Sequence, residues 1–266
     1  MPKFLLNWYR KYRKKKYLQS IQGDIVECTI CKSKFKEFGT FTTRYGYFQI
    51  KNQKCHKCHS HKRHRLLWMY LNDKTDLFKA NTKIRLLHIA PEKVFYDFFS
   101  NNQHIEYFPC DLLPEKYAYE GKIKVKKADI TNIPFKENYF DVIICSHVLE
   151  HIPDDTLAMS ELYRVLKKEG WAILQVPIDY KRETTYENFS IITPEGREKA
   201  FGQVDHVRWY GRDYKDRLKS VGFIVNADNF VESFSQEEIF KFGLDKSELI
   251  YYCQKSFFKN LNESIC

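Results

Sequence analysis

The chain contains eight cysteines, four of them patterned as Cys28-x-x-Cys31 and Cys55-x-x-Cys58 with 23 residues between the pairs. Each pair can present two thiolates on one tight turn, and four thiolates complete the tetrahedral shell of a structural zinc ion. The spacing therefore predicts a zinc-ribbon module over residues 23–72, with Zn2+ held by Cys28, Cys31, Cys55 and Cys58, although the spacer exceeds the roughly 15–20 residues usual for such sites. His56, His59, His61 and His64 crowd the second knuckle as alternative donors. Cys55-His-Lys-Cys-His59 nearly matches a haem-attachment string, but the paired first knuckle has its own explanation in the zinc shell. Cys110, Cys145, Cys253 and Cys266 read as small buried hydrophobes or a loose terminus.

Charge is divided unevenly around these residues. Residues 1–72 carry 17 lysines and arginines against three acids, Asp24, Glu27 and Glu37, while the rest of the chain is mildly acidic. Residues 1–22 are expected to form a basic amphipathic helix, with Phe4, Leu5, Trp8, Tyr9 and Tyr12 near one face and seven cations beside them. Such a segment suits RNA, an anionic membrane surface, a docking face on the body of the protein, or simply a solvated lysine face. No apolar run approaches 18 residues, so no transmembrane segment is predicted, and no secretory signal is recognisable; the expected location is cytoplasmic. Hydrophobic residues at 43% and charged residues at 29% of 266 argue against disorder and fibrous classes.

The elements that would position a second site begin at residue 83. Ile84–Ile89, Ile105–Phe108, Ile123–Val125, Phe140–Cys145, Trp171–Val176, Phe223–Val225 and Leu249–Cys253 read as strands. Helical patterns separate several of them: Val94–Phe99, a segment capped by Asp154 or Asp155 and reaching Lys168 before Gly170, and Tyr214–Ser220. Arg63–Leu71 reads as a linking helix. This alternation predicts an α/β fold, a doubly wound Rossmann-like sheet over residues 73–266 preceded by the small zinc-ribbon module. Ligands of such sheets sit beyond the carboxyl ends of the strands.

Three strings in this region, Asp129-Ile-Thr-Asn-Ile-Pro-Phe135, Phe140-Asp-Val-Ile-Ile-Cys-Ser-His-Val-Leu-Glu-His-Ile152 and Glu161-Leu-Tyr-Arg-Val-Leu-Lys-Lys-Glu-Gly170, resemble successive motifs of the class I S-adenosylmethionine-dependent methyltransferases of type 11. The chain also resembles a subgroup with an N-terminal zinc ribbon followed by Arg-His-Arg-Leu-Leu, here Arg63 to Leu67. Where the wider family has a glycine-rich turn, this chain has His88-Ile-Ala90-Pro91-Glu92. The resemblance implies a cofactor site of His88, Ala90, Pro91 and Glu92, Asp111 on the ribose hydroxyls, Asp129 and Ile130 beside the adenine, and Ser146 and His147 near the transferred methyl. A carboxylate suits the ribose because its two oxygens accept two hydroxyl hydrogen bonds.

Methyl transfer from a sulfonium needs alignment first, and a base only where the acceptor must lose a proton. His147, His151 and His206 are the candidate bases, since the reference histidine pKa of about 6.5 lies nearest working pH. Asp205, Arg208 and Tyr210, in the insert around His206, are the expected substrate-binding residues, with Arg208 holding an anionic group and Asp205 orienting His206. The favoured acceptor is a small molecule or a glycan or lipid precursor. The alternatives are an RNA methyltransferase that uses the basic ribbon, and a non-catalytic binding protein on the same fold.

Overall fold

The computed structural model describes residues 3–79, 82–117 and 124–255. Ile123 and Cys266 lie outside them. The chain divides into two compact units, the first comprising Met1–Thr42, Phe48–Thr75 and Phe230–Glu248, the second Thr43–Tyr47, Asp76–Asn229 and Leu249–Cys266.

In the first unit, α1 (Lys3–Ser20) leads into two antiparallel hairpins, β1 (Gln22–Glu27) with β2 (Lys34–Phe35) and β3 (Gly39–Thr42) with β4 (Gln49–Lys54), and then α2 (Lys62–Asp73). The linking helix thus appears close to its predicted place. Its Arg65 explains why Phe230–Glu248, expected in the methyltransferase domain, joins the first unit instead. Arg65 is fully buried and directs all five of its N–H donors at backbone carbonyls: Nε at Phe242, Nη1 at Gln53 and Ser60, Nη2 at Asn52 and Gly243. Its guanidinium lies 3.9 Å from the Phe38 ring centroid. A buried cation needs every donor satisfied, and here two of the acceptors come from the far end of the sequence. Gly243 is required at its position, because φ is +57° and a Cβ would fall 2.6 Å from Phe38. Lys62 pairs with Asp245, and Tyr70 meets Phe230 edge-on, completing the attachment.

The second unit is built on β5 (Ile84–Ile89), α3 (Lys93–Ser100), β6 (Ile105–Asp111), β7 (Lys126–Lys127), β8 (Phe140–Ser146), α4 (Asp155–Val165), β9 (Leu166–Gln175), β10 (Tyr186–Glu187), α5 (Pro194–Phe201), β11 (Arg208–Trp209), α6 (Tyr214–Ser220), β12 (Phe223–Asp228) and β13 (Ile250–Lys255). Seven strands form one sheet in the order β12-β13-β9-β8-β5-β6-β7. All neighbours from β9 to β7 are parallel, and β13 runs antiparallel to both of its neighbours. The continuous apolar run of β8 is buried on both faces, as a covered parallel strand requires. The strand order reverses between β5 and β8, which is the switch point where such sheets take ligands.

The strands β6 and β12 each run three residues past their predicted ends, and two further boundaries differ from the sequence reading. The strand predicted at Ile123–Val125 is found at Lys126–Lys127. The helix predicted to reach Lys168 ends at Val165, and β9 begins at once, running through Gly170. Gly170 sits in a register shift between β8 and β9, where a Cβ would lie 2.7 Å from the Asp141 carbonyl oxygen. The glycine that reads as a helix stop is therefore a close approach of two strands.

Candidate functional site

Parallel register sets the geometry of the sheet's carboxyl edge. Ile89 on β5 is level with Cys110 on β6 and Cys145 on β8, so the next residues, Ala90, Asp111 and Ser146, emerge side by side at the switch point. Ala90 turns the chain with φ at +49°, in the left-handed region that favours glycine. The turn usually made with glycine is thus preserved in shape, held by the Ala90 N–H to the Cys110 carbonyl at 2.8 Å, and Pro91 is buried behind it.

His88 is not placed to touch a ligand. It is fully buried within β5, its Nε2 3.0 Å from Glu92 Oε2 and its Nδ1 2.9 Å from the Tyr107 hydroxyl. This corrects its assignment as a cofactor contact: both ring nitrogens are engaged inside the protein, and the ring fixes Glu92. Burial pushes the Tyr107 phenol far above its ordinary range, so the hydroxyl keeps its proton. Asp111, half-buried, accepts the Leu113 N–H at Oδ1 (2.7 Å) and the Tyr117 hydroxyl at Oδ2 (2.6 Å). Each oxygen retains a second lone pair, so the carboxylate fits a pair of ribose hydroxyls. Asp129, exposed, accepts the Thr131 N–H and hydroxyl, and the Ile130 side chain belongs to the core.

Beyond β8, Ser146 is buried and His147 turns with φ at +56°, its N–H bonded to the Gln175 carbonyl. Here the three candidate bases come together around Glu150. His147 Nδ1 lies 3.2 Å, His206 Nε2 3.8 Å and His151 Nε2 4.0 Å from Glu150 Oε1. Glu150 is fully buried; burial works to raise its carboxyl, but His147 and the charge of the neighbouring histidines outweigh this and bring it down to about 2. Burial holds His206 below the usual histidine range, with Glu150 opposing. Asp205 meets His151 rather than His206, through its carbonyl at 3.3 Å and Oδ1 at 3.5 Å.

Arg208 and Tyr210 do not serve as expected. Both are buried. Arg208 donates to Glu187 Oε1 through Nε (2.7 Å), to the carbonyls of Leu149 and Ile152 through Nη1, and to the Pro153 carbonyl through Nη2. The Tyr210 hydroxyl donates to Asp155 Oδ2 at 2.6 Å. Four of the five guanidinium donors are thus engaged inside the protein, and the buried side chain pins the 149–153 turn that carries Glu150 and His151. Sequence reasoning named the three histidines but missed Glu150 as their centre. The available signal was the i, i+3 spacing of His147 and Glu150, whereas His206 reaches them only through the fold.

The four patterned cysteines form a second cluster, in the first unit. Their sulfurs lie within 4.8 Å of one another, with Cys28–Cys58 at 3.6 Å and Cys31–Cys55 at 3.7 Å. Four thiolates about 2.3 Å from a tetrahedral zinc would stand about 3.8 Å apart, so the cluster fits the ion. The two knuckles share one backbone device. Cys28 accepts from Lys32 N–H and donates to the Ser33 carbonyl; Cys55 accepts from His59 N–H and donates to the Ser60 carbonyl; Lys32 and His59 both have positive φ. The Ser60 hydroxyl lies 3.3 Å from Cys28 Sγ and 3.2 Å from Cys58 Sγ. Interaction with Cys28 first, then Cys55 and Cys58, draws the Cys31 thiol far down, while Cys28 and Cys31 push Cys55 far up. So close a group cannot ionise together without a cation among the sulfurs. Of the histidines near the second knuckle, His56 bonds Tyr17 and the Glu37 carbonyl rather than joining the sulfurs. Cys110, Cys145 and Cys253 are buried and free, in keeping with the hydrophobic reading.

Comparison with known proteins bears on the second unit. Residues 103–174 match the family model described as a methyltransferase domain. An uncharacterized protein of Methanocaldococcus jannaschii is 42% identical over 57 residues, 21% of this chain and 25% of that protein. The demethylmenaquinone methyltransferase of Staphylococcus carnosus is 36% identical over 59 residues, 22% of this chain and 24% of that enzyme. The chain thus spans about a quarter of the length of these curated relatives. Among solved structures, an S-adenosylmethionine-dependent methyltransferase from Mesorhizobium loti superposes with a TM-score of 0.51 at 14% identity, covering 71% of this chain and 98% of that one, which establishes a shared fold.

Proposed function

We propose that the second unit is an S-adenosylmethionine-dependent methyltransferase acting on a small molecule or a glycan or lipid precursor, and that the first unit is a zinc ribbon closed by Cys28, Cys31, Cys55 and Cys58. The observation that carries the reading is the register at the switch point, which presents Ala90 to Glu92, Asp111 and Ser146 with His147 along one edge, within reach of the histidine group. In this reading Asp111 holds the ribose hydroxyls, Glu92 takes polar groups of the cofactor with His88 fixing its rotamer, and Asp129 and Ile130 flank the adenine. Ser146 and His147 border the methionine end. The cofactor, when bound, supplies a methyl group activated on a sulfonium. His151, whose side chain is 30% exposed, is the histidine of the group most open to an incoming acceptor.

The relatives named for demethylmenaquinone support a small-molecule acceptor. One observation favours a nucleic-acid or membrane contact as a second reading: Phe4, Trp8 and Tyr12 stand exposed on α1, and Lys11, Lys14, Lys15, Lys34 and Lys57 line one surface cleft of the first unit. Among the described residues no helix is long and apolar enough to cross a membrane. Incubating the full chain with isotope-labelled methyl donor and fractionated cell extract separates the readings. Label in the small-molecule or lipid fraction, retained when Lys14, Lys15 and Lys16 are replaced by Gln, is the expected result. Label in RNA, lost in that variant, would overturn the acceptor class; absence of both transfer and cofactor binding would overturn the activity.

A further inference from the structure

We infer that Glu150, His151 and His206 form a binding site for one divalent first-row metal ion, distinct from the four-cysteine cluster. Their donor atoms lie within 4.8 Å of one another, and Glu150 and His206 are at least nine-tenths buried. A carboxylate with two imidazoles is a donor set suited to Mn2+, Fe2+ or Zn2+, leaving coordination positions open.

Four observations point to a cation rather than to a merely polar core. First, Glu150 Oε2 and His206 Nε2 are buried with no hydrogen-bond partner, and Glu150 Oε1 faces only the histidine nitrogens, with His147 Nδ1 at 3.2 Å. Such groups in a native interior call for an explanation, and an ion is one. Second, His206 Nδ1 is 2.9 Å from the Phe201 carbonyl oxygen, which can only accept, so Nδ1 carries a proton. With Nδ1 turned to that carbonyl, Nε2 is the ring atom that faces Glu150, 3.8 Å from Oε1 and too far for a hydrogen bond. Third, the outer nitrogens of both rings are held as those of metal ligands are, His206 by the Phe201 carbonyl and His151 by the carbonyl and carboxylate of Asp205. Fourth, the two segments that carry the ligands are clamped together. Val207 N–H donates to the Glu150 carbonyl, and Arg208 holds the carbonyls of Leu149, Ile152 and Pro153.

Ligands about 2.1 Å from a tetrahedral ion stand about 3.4 Å apart. The imidazole nitrogens, 3.8 and 4.0 Å from Glu150 Oε1, would close by about half an ångström on binding. The consequence for chemistry rests on the methyltransferase reading. An ion at this edge would bind the acceptor through oxygen and lower the pKa of a bound hydroxyl. The hydroxyl proton would pass to solvent, its oxygen would form the bond to the methyl carbon, and the carbon–sulfur electron pair would stay with the departing sulfur. The acceptor class is then a hydroxyl compound rather than an amine.

Manganese distinguishes this site from the cysteine cluster, because thiolates select softer ions. The full chain, loaded with zinc at its cysteines, is titrated with Mn2+ by calorimetry and electron paramagnetic resonance. One Mn2+ per chain is expected, with affinity at least tenfold weaker in His151→Gln and in His206→Gln. Circular dichroism and the thermal unfolding midpoint of the His151→Gln protein, altered at a partly exposed side chain, serve as the folding control. No Mn2+ or second Zn2+ bound at millimolar concentration, or binding unchanged in both variants, would overturn the inference. Mn2+ binding without cofactor binding would sustain this site while removing the methyltransferase reading, so the two fail separately.

Discussion

The sulfur cluster of the first unit and the glutamate–histidine group of the second each gather metal-type donors within 4.8 Å, yet they are built in opposite ways. The cysteines come in two short knuckles, each closed by its own pair of backbone hydrogen bonds, so every half-site is local. Glu150 and His151 sit on one 3-10 turn, but His206 arrives from a segment more than fifty residues away and is held there by Val207 and Arg208. A local half-site can form before the fold and await its ion. A site assembled by tertiary contacts has the fold as its precondition, so its ion can tune chemistry without being the main source of stability.

Removing the metals is the harshest way to break this comparison. Structural zinc in small modules contributes on the order of 10–16 kcal/mol to folding, and the hydrophobic cluster around the cysteines is small: Val26, Cys28, Phe35, Phe38 and Cys55. Exhaustive chelation should therefore abolish amide-exchange protection across β1 to β4, while the strands β5, β8 and β9 stay protected. Protection of both units after complete metal removal would show that the cysteine cluster is an ordinary core.

A smaller effect sharpens the same point from the protein side. Arg65→Met removes donors from five carbonyls at once. Leaving a buried acceptor unsatisfied costs about 1–3 kcal/mol, so the variant should lose on the order of 3 kcal/mol or more in the unfolding transition of the first unit, read by urea denaturation. A loss under about 1 kcal/mol would mean that zinc alone organises the module.

The smallest effect concerns the glycine-free turn. Ala90 occupies the left-handed region at φ +49°, where a non-glycine residue costs roughly 1–2 kcal/mol. Ala90→Gly relieves this strain but loosens the unfolded chain by about 0.4–1 kcal/mol. The second unit should gain roughly 0.5–1 kcal/mol in thermal unfolding, with cofactor affinity kept. Destabilisation would imply that the methyl group of Ala90 packs against a partner that matters more than the turn.

These contrasts also explain what the sequence disclosed. Features with a fixed local spacing were legible: the two Cys-x-x-Cys pairs, the Asp154 cap that accepts Leu157 N–H, and the fully apolar strand at Phe140. The succession of strands along the chain and the acids at their ends followed from alternation and from the resemblance of the motifs. What depended on distant partners was not legible. Arg208 reads as an anion clamp because nothing in its neighbourhood announces that the carbonyls of 149–153 will use its donors. His88 likewise reads as a ligand contact until Tyr107, on the next strand, is seen to hold it. Nor does local sequence show that Phe242 and Gly243 belong with Arg65 across most of the chain. Gly170 misled for the related reason that a glycine before a strand has the same appearance whether it ends a helix or admits a neighbouring carbonyl.

Whether the carboxyl edge around Ala90, Asp111 and His147 binds S-adenosylmethionine is decided by calorimetric titration of that cofactor into the full chain and its Asp111→Ala variant. One site per chain is expected in the parent, with binding about tenfold or more weaker in the variant, since a charged hydrogen-bond partner contributes about 1.5–3 kcal/mol. Absence of binding in the folded parent, or equal affinity in both proteins, would contradict binding at this edge.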